Sequence, residues 1–219
     1  MHEFITNLPV FREAIWQTFY IVAISVVAGG LLGLGLGLVL YATRPGSLLA
    51  NRAVFIGVNI LVNLVRPIPF VIFLTAIQPL MLVAIGTTIG TDAVTFALSL
   101  AAAFAVSRII EQNLLAVEPG VIEAARAAGA RPLSILVTVV VPEALGPVIL
   151  GYTFIFVGVV DMSAQAGLFG GGGLGDFAVT YGSQRYNWPV VYITVATIIV
   201  IVQAGQFVGN ALARRALRR

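Results

Sequence analysis

Residues 123–142 read EAARAAGARPLSILVTVVVP. The stretch starts as a polar island, Glu123 to Gly129, and ends at Pro142 in an apolar run. Nothing in a bilayer interior needs that island. It must lie outside the membrane, where something else reads it. Pro119-Gly120 opens a short helix, because proline is favoured in a first helical turn. Glu123 to Ala128 is strong helix-forming sequence. Gly129 suits the position just past a helix end, where a positive φ costs glycine little. Arg131-Pro132 then restarts a helix. The expected product is a short helix-turn-helix over about 118–132, with Glu123 in its first turn, where a carboxylate suits the helix dipole. An ordinary interfacial loop helix is the plainer reading.

Around the island the chain is apolar. Of 219 residues, 59% are hydrophobic and only 10% are charged. A soluble domain carries about 25% charge, so this deficit specifies an all-α integral membrane protein. The net charge is +3 and all twelve basic residues are arginine, which is no nucleic-acid-binding balance. The absence of cysteine excludes disulfides and thiolate metal sites. The single histidine, His2, sits at a terminus expected to fray, so no metal site is expected. The N-terminus lacks a basic segment and the first apolar run is too long for a cleavable signal, so none is expected.

Five spans are predicted. Residues 1–14 read as an amphipathic interfacial segment. The first span runs from about Ile15 to Tyr41. The second, about Val54 to Ile77, is broken or kinked at Arg66-Pro67-Ile68-Pro69 and is followed by irregular chain. The third runs from about Ala93 to Ile110, with Thr91 or Asp92 as a cap. The fourth covers about Pro142 to Ser163. A glycine cluster at 170–173 and 175 begins a flexible polar loop ending near Trp188-Pro189. The fifth covers about Val190 to Leu212. Arg44, Arg52, Arg108, Arg126, Arg131, Arg214, Arg215, Arg218 and Arg219 then fall on one side, and Arg12 and Arg185 on the other. Arginine bias puts the island and the C-terminus in the cytoplasm and the N-terminus outside. Gly29, Gly33 and Gly37 recur every four residues on one face of the first span, which suits close helix packing; lining a pore is the alternative.

The island resembles the EAA signature of ABC-importer permeases, Glu-Ala-Ala, three residues, Gly, nine residues, Ile-x-Leu-Pro. Glu123, Ala124, Ala125, Gly129 and Pro142 fall in register, with Val139 and Val141 at the Ile and Leu positions. RPIPF at 66–70 and GGGGLGDFAVTYG at 170–182 are similar to elements of the methionine-uptake permeases. The resemblance covers nearly the whole chain and implies a single permease domain, 1–219, of the type I ABC-importer fold, in the bacterial cytoplasmic membrane. It implies a homodimer, two copies of a separate ATPase on which the island docks, and an external solute-binding protein. ATP and Mg are expected on the ATPase. This chain has no G-x-x-x-x-G-K-[ST] phosphate loop and is expected to bind no cofactor and to be no enzyme itself.

One stretch departs from that family. Where the methionine-type permeases read Gly-Tyr-Ser-Ala-Met-Ala-Gly, this chain reads Asp161-Met-Ser-Ala-Gln-Ala-Gly167. Asp161 stands at the glycine position and Gln165 at the methionine position. Charges at membrane depth are functional candidates because exposing them to lipid is costly. Arg66, Asp161 and Gln165 are therefore candidates for the translocation path or gate. Pairing with a neighbour or reaching the interface is the structural alternative for the two charges. A secondary transporter or channel without an ATPase also accommodates broken spans, but it leaves the EAA register unexplained. A membrane enzyme finds no nucleophile–base pair here.

Overall fold

The computed structural model describes residues 7–217, which form helices and connecting turns without a strand. His2, Arg218, Arg219 and the first six residues of the predicted interfacial segment lie outside the described residues. The helices are α1 (Leu8–Thr43), α2 (Arg52–Val65), α3 (Phe70–Ala76), α4 (Gln78–Ile85), α5 (Thr91–Leu115), α6 (Pro119–Ala127), α7 (Pro132–Gly167), α8 (Gly173–Phe177) and α9 (Trp188–Leu217). Four of them, α1, α5, α7 and α9, are long and apolar enough to cross a membrane; α2 and α3 together make a fifth, bent span.

The contact between α1 and α5 is built by close backbone approach. A Cβ placed at Gly33 would lie 2.5 Å from Val106 Cβ, one at Gly37 2.5 Å from Ile110 Cβ, and one at Gly29 2.5 Å from the Ser99 carbonyl oxygen. The three glycines are buried on α1 and let its backbone lie directly on α5. In lipid, where apolar surface gains little by leaving its surroundings, such van der Waals contact drives helix association. A second seam repeats the device on α9, where Gly205 faces Phe156 and Gly209 faces Thr153 of α7.

Several predicted boundaries are corrected. Residues 8–14 are the first two turns of α1 rather than a separate segment, and Phe11 and Ala14 pack into a small core with Leu174, Phe177 and Val190. Phe11 and Phe177 ring centroids lie 5.1 Å apart. The second span is broken as expected, but the break is a 110° corner. Proline is the cause: Pro67 and Pro69 lack the N–H groups that would carry the helix through. The chain beyond it is helical (α4) rather than irregular, and Gly86, φ +75°, ends it. Helix α5 is capped at Gly90, not at Thr91 or Asp92, and extends past the predicted end at Ile110 to Leu115, so that Arg108 lies about two turns inside it rather than at its edge.

The glycine cluster is not a flexible turn. Gly170, Gly172 and Gly173 have positive φ, and the loop is hydrogen-bonded to α1 and to the turn that precedes α5. The Gly173 N–H donates to Gln17 Oε1 and the Leu174 N–H to Thr18 Oγ1, both at 2.8 Å. Gly90 N–H donates to the Gly170 carbonyl at 3.0 Å. These bonds satisfy backbone groups that would otherwise be buried without partners.

Candidate functional site

At one end of the bundle, α6 lies across the helix ends. None of its residues is buried within the chain. Ile122 and Ala125 turn towards the main core, whereas Glu123, Ala124 and Arg126 are exposed. Pro119 is the first helical residue, as its missing N–H allows. Glu123 is therefore in the second turn, not the first as the sequence suggested, and gains little from the helix dipole. The far end closes in a Schellman turn. The Gly129 N–H donates to the Arg126 carbonyl at 2.9 Å and the Ala130 N–H to the Ala125 carbonyl at 3.1 Å. Gly129 has φ +80° with open space around it, so backbone conformation and not crowding calls for glycine there. A groove of about 220 Å³ separates α6 from the α1–α2 turn, with Tyr41, Leu48, Glu123 and Arg126 on its walls.

Pro132 restarts the chain as α7. Five residues, Leu136–Val140, form a wide π turn, and the Val141 N–H reaches back to the Leu136 carbonyl. Pro142 accounts for it: a proline has no N–H to donate and its ring collides with the carbonyl four residues earlier, a strain that a wide turn relieves. The last residue of the EAA register thus sets a local feature in the helix that joins α6 to the membrane interior.

Further along α7, Gln165 Nε2 donates to Asp161 Oδ2 at 3.0 Å. Four residues make about one turn, so the two share a face. Asp161 is exposed on the single chain. Its neighbour Met162 lines a cavity of about 120 Å³ with Arg66, Phe70, Phe73 and Phe104. The corner between α2 and α3 is therefore next to the polar turn of α7, but Arg66 forms no ion pair with Asp161. Among the described residues the one ion pair is Arg108 with Glu111.

That pair is what sequence reasoning missed. In the arginine count Arg108 serves only as a charge on the cytoplasmic side. Instead its guanidinium binds Glu111 and donates to Asn59 Oδ1 at 2.5 Å and Asn63 Oδ1 at 2.6 Å on α2. The signal was available: two asparagines four apart in one apolar span, and an arginine and a glutamate three apart in another. No cluster of His, Asp or Glu able to hold a metal occurs among the described residues.

The family described as "Binding-protein-dependent transport system inner membrane component" matches residues 29–219. A probable D-methionine transport system permease protein, MetI, of Vibrio cholerae is 42% identical over 212 residues, covering 97% of this chain and 94% of the relative. The D-methionine transport system permease protein MetI of Escherichia coli K12 is 37% identical over 155 residues, 71% of each chain. A solved chain of the MetNI methionine ABC transporter in inward-facing conformations superimposes with TM-score 0.92 at 34% identity, covering 96% of this chain and 98% of that one. With five apolar spans counted through the bent pair, and a match over most of its length, the chain belongs to the family of binding-protein-dependent transport system inner membrane components.

Proposed function

We propose that this chain is the permease subunit of an ATP-driven importer for methionine or a closely related amino-acid-like solute in the bacterial inner membrane. The observation that carries the proposal is the 42% identity to a methionine permease across nearly the full length of both chains. The working assembly is a homodimer with two ATPase subunits and an external solute-binding protein. ATP and Mg are held by the ATPase. A transporter working without an ATPase gains no support from this family membership.

In this reading α6 is the ATPase-docking element. Its exposed Glu123 and Arg126 are free to meet a partner, and its rigid Schellman stop lets it move as a body. Helix α7 carries that movement inward: 29 residues separate Pro132 from Asp161, about 40 Å at 1.5 Å per residue. The Asp161–Gln165 turn, with Arg66 nearby, is the gate or path lining. A carboxylate and an amide there hold a polar gate or meet a solute's ammonium group, which an apolar methionine side chain does poorly. The N-terminus is outside and the C-terminus and α6 are cytoplasmic. The test is a solute panel on the reconstituted permease–ATPase complex with its cognate binding protein, following uptake and ATP hydrolysis together. Stimulation by methionine-like solutes is expected; uptake that persists without the ATPase overturns the proposal.

A further inference from the structure

The cluster around Arg108 is not used by the docking helix or by the polar turn of α7. Arg108 lies seven residues before the end of α5, about 10 Å inside along the helix axis. Its side chain is 13% exposed and that of Glu111 7%. A buried guanidinium in an apolar span must be paired and hydrogen-bonded, and three acceptors serve it here. Glu111 belongs to its own helix. The other two, Asn59 and Asn63, lie on consecutive turns of α2, so the planar guanidinium holds two helices together.

Within the single chain α2 is otherwise held by its turn from α1, where the Leu49 and Asn51 N–H groups donate to the Ala42 and Thr43 carbonyls. Val62 is its one buried residue. Its far end is the 110° corner at Pro67 and Pro69. Among the described residues, the side-chain hydrogen bonds that this 14-residue segment makes to another helix are those to Arg108.

We propose that Arg108, braced by Glu111, is a positioning residue whose hydrogen bonds to Asn59 and Asn63 latch α2 onto α5 and keep solute passage coupled to ATP hydrolysis. The coupling half rests on the permease reading above; the latch itself does not.

The chain has no native cysteine, so a cysteine pair reports α2 position directly. Val65 and Ala105 line the same small cavity, one on each helix, and Val65→Cys with Ala105→Cys is the reporter pair. Asn59→Leu with Asn63→Leu removes the α2 acceptors but leaves the Arg108–Glu111 pair intact, and thermal unfolding of the purified complex checks that the variant is folded. In the reconstituted complex, cross-linking of the reporter pair is expected to fall about tenfold, at about threefold per interhelical bond lost. Solute taken up per ATP hydrolysed is expected to fall as well. Asn59→Asp keeps an acceptor and adds a charge facing the guanidinium, so it should keep cross-linking at or above the original level. Unchanged cross-linking in the double leucine variant overturns the latch. Lowered cross-linking with unchanged uptake per ATP overturns its role in coupling. If no ATP-dependent uptake occurs even in the unaltered complex, the permease reading fails, while the cross-linking result still decides the latch.

Discussion

Gln165 and Asp161 are joined side chain to side chain, amide nitrogen to carboxylate, across one turn of α7. Asp161 remains exposed on the single chain, with its second oxygen open to a partner. Removing the charge should therefore cost function more than folding. Asp161→Asn is expected to lower uptake about tenfold, the loss typical of one charge-assisted hydrogen bond, with little change in thermal stability of the purified complex. The paired change Asp161→Gly with Gln165→Met is expected to alter rate or solute preference. If neither moves in a competition assay, the two residues are scaffold.

Glu123 is exposed on α6, on the wall of the groove facing the α1–α2 turn. Glu123→Arg should abolish ATP-driven uptake while shifting stability by less than about 0.5 kcal/mol, as surface substitutions generally do. Uptake at the original rate in proteoliposomes would remove α6 from the docking role.

Gly33 marks where a packing surface was legible and its partner was not. The four-residue glycine repeat announced close approach, but spacing alone does not say against which helix. Loss of the oligomer was an equally natural expectation from sequence. The contact is internal, between α1 and α5. Gly33→Leu is expected to destabilise the monomer by at least about 1–3 kcal/mol, the usual cost of overpacking, and so to lower the yield of folded protein. Gly35, two residues away, has nothing within 4 Å of a Cβ, and Gly35→Ala should be harmless. Similar yields and melting temperatures for both variants would contradict the packing.

Other features divide along the same physical line. Local chemistry was readable: Pro119 as a helix start, Gly129 as its stop, and a break at Pro67 and Pro69 all follow from what those residues do to their own backbone. Features set by distant partners were not. The loop at 170–175 looked flexible because its glycines are permissive, yet Gln17 and Thr18, more than 150 residues earlier, fix it. Arg108, near the predicted end of the third span, read only as a topology charge; Glu111 together with Asn59 and Asn63 on another helix makes its burial tolerable. The Gly205 and Gly209 seam has the same spacing as the α1 repeat and was passed over.

Gly129 separates backbone conformation from space. Its φ of +80° disfavours any side chain, and nothing lies within 4 Å of where a Cβ would stand. Gly129→Ala is expected to cost about 1–2 kcal/mol through the left-handed backbone alone. It should loosen the α6–α7 turn and reduce uptake per ATP. Gly120, equally open and at ordinary φ, should accept alanine with a neutral or slightly stabilising effect, read from thermal unfolding of both variants.

Topology rests on arginine placement, and it survives leaving out Arg108, which is paired inside α5, and Arg218 and Arg219, which lie outside the described residues. Arg44, Arg52, Arg126, Arg131, Arg214 and Arg215 still gather at the α6 end of the bundle, against Arg12 and Arg185 at the other. Six against two keeps the same sign, so the α6 end is expected in the cytoplasm. Cysteine labelling is clean because the native chain has no thiol. Ser183→Cys, exposed between α8 and α9, should react with a membrane-impermeant maleimide on right-side-out cells. Ala216→Cys, at the last turn of α9, should react only after the membrane is opened. Labelling of Ala216→Cys from outside on intact cells, with Ser183→Cys protected, reverses the orientation and with it the assignment of α6 to a cytoplasmic ATPase.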